Sequence, residues 1–117
     1  MYKRGEIYLA DLNPRKGKEV GKLRPVLIFQ TDFLNEIEHP TIIVLPLSTK
    51  LVDDAYPLRF RLNKRDHLEQ DSDILCDQIR AIDTQRIIPK PLTLLTQKEL
   101  FILEEQVALI LGFKDYL

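Results

Sequence analysis

The chain reads as an α+β, β-rich domain: a small, twisted, barrel-like sheet of five or six strands, closed by one C-terminal helix. Three observations predict this. Short apolar or alternating runs recur at residues 6–12, 25–31, 41–47, 58–62 and 74–82, separated by polar stretches that carry Gly, Pro, Asn and Asp. Thr96-Gln97-Lys98-Glu99 has the pattern of a helix start. No repeat, low-complexity tract or linker divides the 117 residues, a length that suits one domain over 1–117.

Residues 6–12 alternate in part, with Tyr8 and Leu9 breaking the pattern, and Asn13-Pro14 ends the run. Residues 15–23 set Gly17 and Gly21 among charges, a flexible loop that is long for a simple hairpin. The next strand covers 25–31, with Pro25 tolerated at its head. Residues 32–38 form a turn or short helix with Asp32 as its cap. The β-branched run 41–47 is a buried strand ending in adjacent hydroxyls, Ser48 and Thr49. A loop follows to Pro57, then the alternating strand 58–62. Residues 63–73 are polar. A kinked strand spans 74–82, a helical turn 83–86, and Ile87-Ile88 resumes the strand until Pro89 and Pro91.

The helix opens with Thr96 as cap, Glu99 reaching back and Leu95 packing forward, and stops at Gly112. Leu100, Phe101, Leu103, Val107, Leu109, Ile110, Leu111 and Phe113 lie on more than one of its faces. One sheet face cannot cover them all, which predicts a homodimer.

Composition narrows the function. The hydrophobic fraction is 44% and the charged fraction 30%, ordinary for a folded soluble protein. No apolar run approaches membrane-span length, and the N-terminal residues lack the pattern of a secretion signal. A single cysteine, Cys76, allows no internal disulfide, and a reducing cytoplasm is expected. The net charge of −1 argues against indiscriminate polyanion binding. Even so, Arg15, Lys16, Lys18, Lys22 and Arg24 stand against Glu19 alone in one short stretch. A small basic site on a neutral body suits a selective ligand.

Little in the sequence supports other chemistries. His39 and His67 have no ligand neighbours at coordination spacing. Asp71, Asp73 and Asp77 lack the glycine and terminal glutamate of a calcium loop and read as a solvated acidic turn, so neither metal nor other cofactor is expected. Cys76 reads as a small buried core residue. No glycine-rich phosphate loop precedes a Lys-Ser or Lys-Thr pair. What remains is Arg24 with Ser48 and Thr49. RNA carries its own nucleophile, the 2′-OH, so a protein need only orient that oxygen, assist proton transfer and neutralise charge on the phosphorane. A guanidinium matches phosphate oxygens bidentately, and a hydroxyl can donate to a non-bridging oxygen. By residue type alone, however, Arg24 reads as a surface or ion-paired arginine and Ser48-Thr49 as a strand-end turn.

Read together, the positions say more. Arg4-Gly5-Glu6-Ile7-Tyr8, Asp11-Leu12-Asn13-Pro14, Gly17-Lys18-Glu19, Arg24-Pro25-Val26-Leu27, Pro46-Leu47-Ser48-Thr49 and the run from Asp77 to Asp83 resemble the MazF/PemK family of toxin endoribonucleases, in order and over nearly the whole chain. The resemblance implies an SH3-like β-barrel of the MazF/PemK/CcdB type with helices, usually homodimeric. It implies the toxin of a toxin–antitoxin pair, cutting single-stranded RNA at short sequences without a metal and leaving a 2′,3′-cyclic phosphate and a 5′-OH. Arg24 matches the family's catalytic arginine. Ser48 falls where many members place a catalytic threonine, and Thr49 is the second candidate for that hydroxyl. Glu19 matches an acidic position expected to orient Arg24 or select bases, and Gln78 a polar position suited to reading a base edge. Asn13, Arg15, Lys16, Lys18 and Arg80 are expected to support or guide the RNA. The basic groove should also accept an acidic, partly disordered antitoxin segment. Two rival readings stay open: a gyrase-binding toxin of the same fold that catalyses nothing, and a silent SH3-like module that binds RNA or peptide.

Overall fold

A computed structural model describes residues 1–14, 16–19 and 21–115; Arg15, expected to guide RNA, lies outside the described residues. The elements run β1 (Glu6–Asp11), β2 (Leu23–Ile28), α1 (Asp32–Glu36), β3 (Thr41–Ser48), β4 (Arg59–Leu62), β5 (Ser72–Leu75), β6 (Arg80–Asp83), a 3₁₀ turn (Thr84–Arg86), β7 (Thr93–Leu94) and α2 (Gln97–Ile110). Seven strands form one curled antiparallel sheet in the order β4-β5-β3-β2-β1-β7, with β6 also paired to β3. The β-rich α+β architecture with a C-terminal helix is therefore as the sequence predicts.

Strand alternation sorts the side chains onto two faces. Ile7, Leu27, Leu45, Leu47 and Ile74 pack with Leu100, Leu103 and Val107 of α2. The intervening residues, among them Tyr8, Ala10, Val26, Ile28, Val44 and Ile82, build a second cluster on the face away from α2.

The predicted strand 74–82 is two strands. Leu47 pairs with Ile74 and Ser48 with Asp73. Continuing that register would set Val44 against Asp77, but Val44 pairs with Arg80. Three extra residues are thus inserted between β5 and β6, and the chain bulges there before rejoining the same edge of β3. Strand β2 also begins earlier than expected, so Arg24 is its second residue and pairs with Ala10.

Helix α2 starts as its sequence predicts. The Thr96 hydroxyl accepts from the Glu99 amide at 3.1 Å, and Glu99 Oε1 accepts from the Thr96 amide at 2.8 Å. Glu99 has a second role: both its oxygens take a bidentate pair from Arg65, each at 2.8 Å, and Arg65 also donates to the Leu94 carbonyl. Buried Gln106 donates to the Pro57 and Arg59 carbonyls and fastens the helix to β4. The helix leaves Phe101 61% and, just beyond its end, Phe113 81% exposed.

Because Glu99 serves the cap and the Arg65 pair together, Glu99→Ala should lower the unfolding free energy by about 2 kcal/mol. Thr96→Ala should lower it by about 1 kcal/mol. Urea denaturation checks the difference, and equal losses would show that the Arg65 pair contributes nothing.

Candidate active site

The loop before Arg24 is closed at its base by backbone and amide contacts. Leu12 N–H donates to the Lys22 carbonyl at 3.0 Å, and Lys22 N–H to Asn13 Oδ1 at 2.7 Å. Arg86 donates from the 3₁₀ turn to the Asp11 carbonyl at 2.9 Å and to the Asn13 carbonyl. Asn13, expected to support RNA binding, is thus an anchor of the loop. Within the loop Glu19 N–H donates to the Lys16 carbonyl at 3.1 Å, making a turn that leaves Lys16, Lys18 and Glu19 exposed.

Arg24 emerges from this base half-buried. Its Nε donates to the Gly21 carbonyl at 2.9 Å and its Nη1 to the Leu47 carbonyl at 3.0 Å. Neither bond supplies negative charge to offset the guanidinium, and among the described residues Arg24 has no carboxylate partner. Burial pushes its pKa below the ordinary guanidinium value. Nothing in that shift threatens protonation near neutrality, because arginine starts so high. The side chain is fixed by two carbonyls rather than by Glu19, so the expectation that Glu19 orients Arg24 finds no contact behind it.

The Leu47 carbonyl brings Arg24 to the end of β3. Val26 is level with Pro46 and Leu27 with Leu45, and that register, continued two residues beyond its last pair, would bring Arg24 level with Ser48. Directly opposed residues share a face of the sheet. The Ser48 Oγ accepts from the Lys50 amide at 3.2 Å, which occupies a lone pair and leaves its proton available to donate. Thr49, one residue on, lies beyond the strand. It lines a separate pocket of about 270 Å³ with Leu9, Pro25, His67 and Leu92 that neither Arg24 nor Ser48 lines.

The bulge between β5 and β6 faces the loop before Arg24 across a groove that neither Arg24 nor Ser48 lines. Asp77, Gln78 and Arg80 line a groove of about 350 Å³ with Lys18 and Glu19. Four residues picked from the sequence for RNA contact therefore meet in one place, although they come from two distant segments. Gln78 is a bulge residue here, although its sequence pattern sets it within one strand over 74–82.

Two expectations about other residues are resolved. Cys76 is fully buried, and burial pushes its thiol up to about 12, as befits an inert core residue. The acidic stretch is not uniformly solvated. Asp73 is fully buried in β5, where the pattern of small and apolar neighbours gives no sign of its partners. Its Oδ1 accepts from Arg61 Nε at 2.6 Å, and its Oδ2 from Arg59 Nη1 at 3.1 Å and from the Val52 amide at 2.9 Å. The three donors lie 12 to 21 residues away along the chain. The one signal in the sequence was the pair of arginines on one face of the 58–62 strand.

The family question is decided by comparison. The family of PemK-like, MazF-like toxins of type II toxin–antitoxin systems matches residues 3–111. The chain belongs to that family. It is 35% identical over 117 residues to a protein named Endoribonuclease MazF from Staphylococcus epidermidis, covering 99% of this chain and 96% of that one. It is 37% identical over 113 residues to a protein of the same name from Staphylococcus saprophyticus, covering 96% and 92%. Among solved structures, MazF from Deinococcus radiodurans superposes with a TM-score of 0.78 at 19% identity, covering 95% of this chain and 96% of the other. An endoribonuclease in complex with its cognate antitoxin, from a mycobacterial species, superposes at 0.76 and 18% identity, covering 97% and 98%. These structural likenesses are to the MazF fold. Among the described residues no helix is long and apolar enough to cross a membrane.

Asp73 and Glu99 set the acid limit of the toxin's stability. Burial pushes the Asp73 carboxyl up, but hydrogen bonds from Arg61, Val52 and Arg59 outweigh it and hold the group below its ordinary value. Glu99 is likewise pushed up by burial and brought below its ordinary value by Arg65 and the Thr96 amide. A carboxylate depressed in the folded state stabilises above its unfolded pKa, about 4, and loses that contribution as pH falls through the folded value. Urea midpoints should therefore hold between pH 7 and about 5 and drop below about 4, with a shallower drop in Asp73→Asn.

Proposed function

We propose that the chain is the toxin of a type II toxin–antitoxin pair and an endoribonuclease that cuts single-stranded RNA, with residues 1–117 acting as one toxin domain. The observation that supports this reading is the bond from Arg24 Nη1 to the Leu47 carbonyl, which brings a guanidinium with no carboxylate partner among the described residues to the end of β3, one residue before Ser48. The relatives' printed name, Endoribonuclease MazF, supports the same activity.

In the proposed reaction the ribose 2′-OH attacks the adjacent phosphorus, and the bond to the departing 5′-oxygen breaks. The 2′ proton is lost, a proton reaches the 5′-oxygen, and the products are a 2′,3′-cyclic phosphate and a 5′-OH. Negative charge grows on the non-bridging oxygens of the phosphorane. Arg24 stabilises that charge and assists proton transfer. Ser48 donates a hydrogen bond to a non-bridging oxygen. Such preorganised donors act on the transition state more than on the bound substrate. Ser48 is preferred over Thr49 because it shares Arg24's register and face, whereas Thr49 lines the separate pocket. Lys18, Gln78 and Arg80 would hold the flanking nucleotides in their groove, with Glu19 and Gln78 suited to base edges.

The mycobacterial neighbour was solved with its cognate antitoxin, and an antitoxin of acidic character is the partner proposed here, seated over the same basic site. A second copy of the chain is proposed to cover the exposed apolar surface of Phe101, Ile102, Leu111 and Phe113. Sedimentation equilibrium should then report a dimer of the 13.7 kDa chain, and Phe101→Glu should shift it to monomer.

Purified protein incubated with long single-stranded RNA in EDTA should yield fragments with those ends while leaving the matching DNA intact. Arg24→Ala should slow cleavage by about 10³-fold or more, and Ser48→Ala by about 10- to 100-fold. Thr49→Ala should stay within about twofold of the parent. RNA left whole across varied sequences would overturn the enzymatic reading and favour a binding-only toxin.

A further inference from the structure

Asp73 is the cross-strand neighbour of Ser48, and every contact it makes bears on the turn that follows Ser48. The register pairs the two residues directly between β3 and β5. Asp73 Oδ2 takes the Val52 amide at 2.9 Å and Arg59 Nη1 at 3.1 Å. The same Arg59 Nη1 donates to the Lys50 carbonyl at 3.0 Å. Asp73 Oδ1 takes Arg61 at 2.6 Å, and Arg61 goes on to Asp53 at 2.9 Å. Lys50, held through its carbonyl, is also the residue whose amide donates to Ser48 Oγ.

The turn from Ser48 to Asp53 is therefore fastened at Lys50, Val52 and Asp53, and all three lines of contact run through one buried carboxylate. A charge in a wholly buried strand is costly unless it is fully paired, and an apolar side chain of similar volume often serves stability as well or better. Shape alone gives β5 no need for a carboxylate at this position. Placement of the turn does, because the turn fixes the amide that orients the serine hydroxyl.

We propose that Asp73, acting through Arg59 and Lys50, is a positioning residue for Ser48. It holds the turn so that the Lys50 amide keeps Ser48 Oγ in a single rotamer with its proton directed to the substrate phosphate. Serine needs this more than threonine does, since it lacks the second β-substituent that restricts χ1. The inference rests on the cleavage reaction proposed above, and the test separates the two.

The test is a double-mutant cycle on RNA cleavage with Asp73→Asn and Ser48→Ala, alone and together, with binding measured separately on an uncleavable 2′-deoxy analogue. Asp73→Asn should lower kcat by about 10- to 100-fold, as a displaced catalytic group does, with the analogue's affinity changed less than about threefold. In the Ser48→Ala background the same change should cost less than about twofold, because the hydroxyl it positions is gone. Equal fold losses in the two backgrounds, or a kcat unaffected by Asp73→Asn, would overturn the proposal. Should Asp73→Asn fail to fold by circular dichroism, Arg59→Gln, which removes the Lys50 contact from a partly exposed side chain, is read against the same outcomes. Absence of cleavage by the unmutated protein would instead refute the enzymatic reading itself.

Discussion

Strand β3 has to satisfy three neighbours within eight residues, and the site depends on how it does so. Along one edge it pairs with β2, which brings Arg24 to its end. Along the other it pairs first with β6 and then with β5, in registers that differ by three residues. A ladder cannot absorb that difference by stretching, because each backbone group needs its partner. The surplus leaves the sheet as a bulge at 76–79. The bulge supplies Gln78 to the groove, and the end of the strand supplies Ser48. Catalytic candidates and base-contacting candidates are in this sense two results of one mismatch in hydrogen-bond spacing.

Charge placement follows a matching division. Arg59, Arg61 and Arg65 are committed to Asp73, Asp53 and Glu99, where they fasten loops and the helix start. Arg4 is committed to Glu104 and lies over the Phe29 ring. Arg24 has only carbonyls. A chain with a net charge of −1 can therefore present a local positive potential at Arg24, because four other guanidinium groups are neutralised within the fold and this one is not.

Much of this was legible in the sequence, for reasons that vary by element. The α2 start was readable because capping is local: Thr96 and Glu99 are three residues apart and need nothing else. Cys76 was readable because its neighbours are apolar. Arg24 with Ser48 was readable only as a resemblance, since residue type alone favoured a paired arginine and a turn. The preference for Ser48 over Thr49 likewise came from the resemblance, because a one-residue step reverses the face and residue type carries no sign of it. The 76–79 bulge was hidden for the same reason. Asp73 was hidden because its partners come from β4 and the loop before it, and the paired arginines of the 58–62 strand do not by themselves say which carboxylate they meet.

The shared carboxylate of Glu99 has a consequence for motion. The first turn of α2 and the segment around Arg65 draw on the same carboxylate, so a movement of Glu99 disturbs both. Gln106 repeats the arrangement one face further along, tying mid-helix to the entry of β4. A C-terminal helix ordinarily frays or undocks as an independent unit. Here it is riveted to the segment around Arg65 and to the entry of β4, so undocking it must break both sets of bonds.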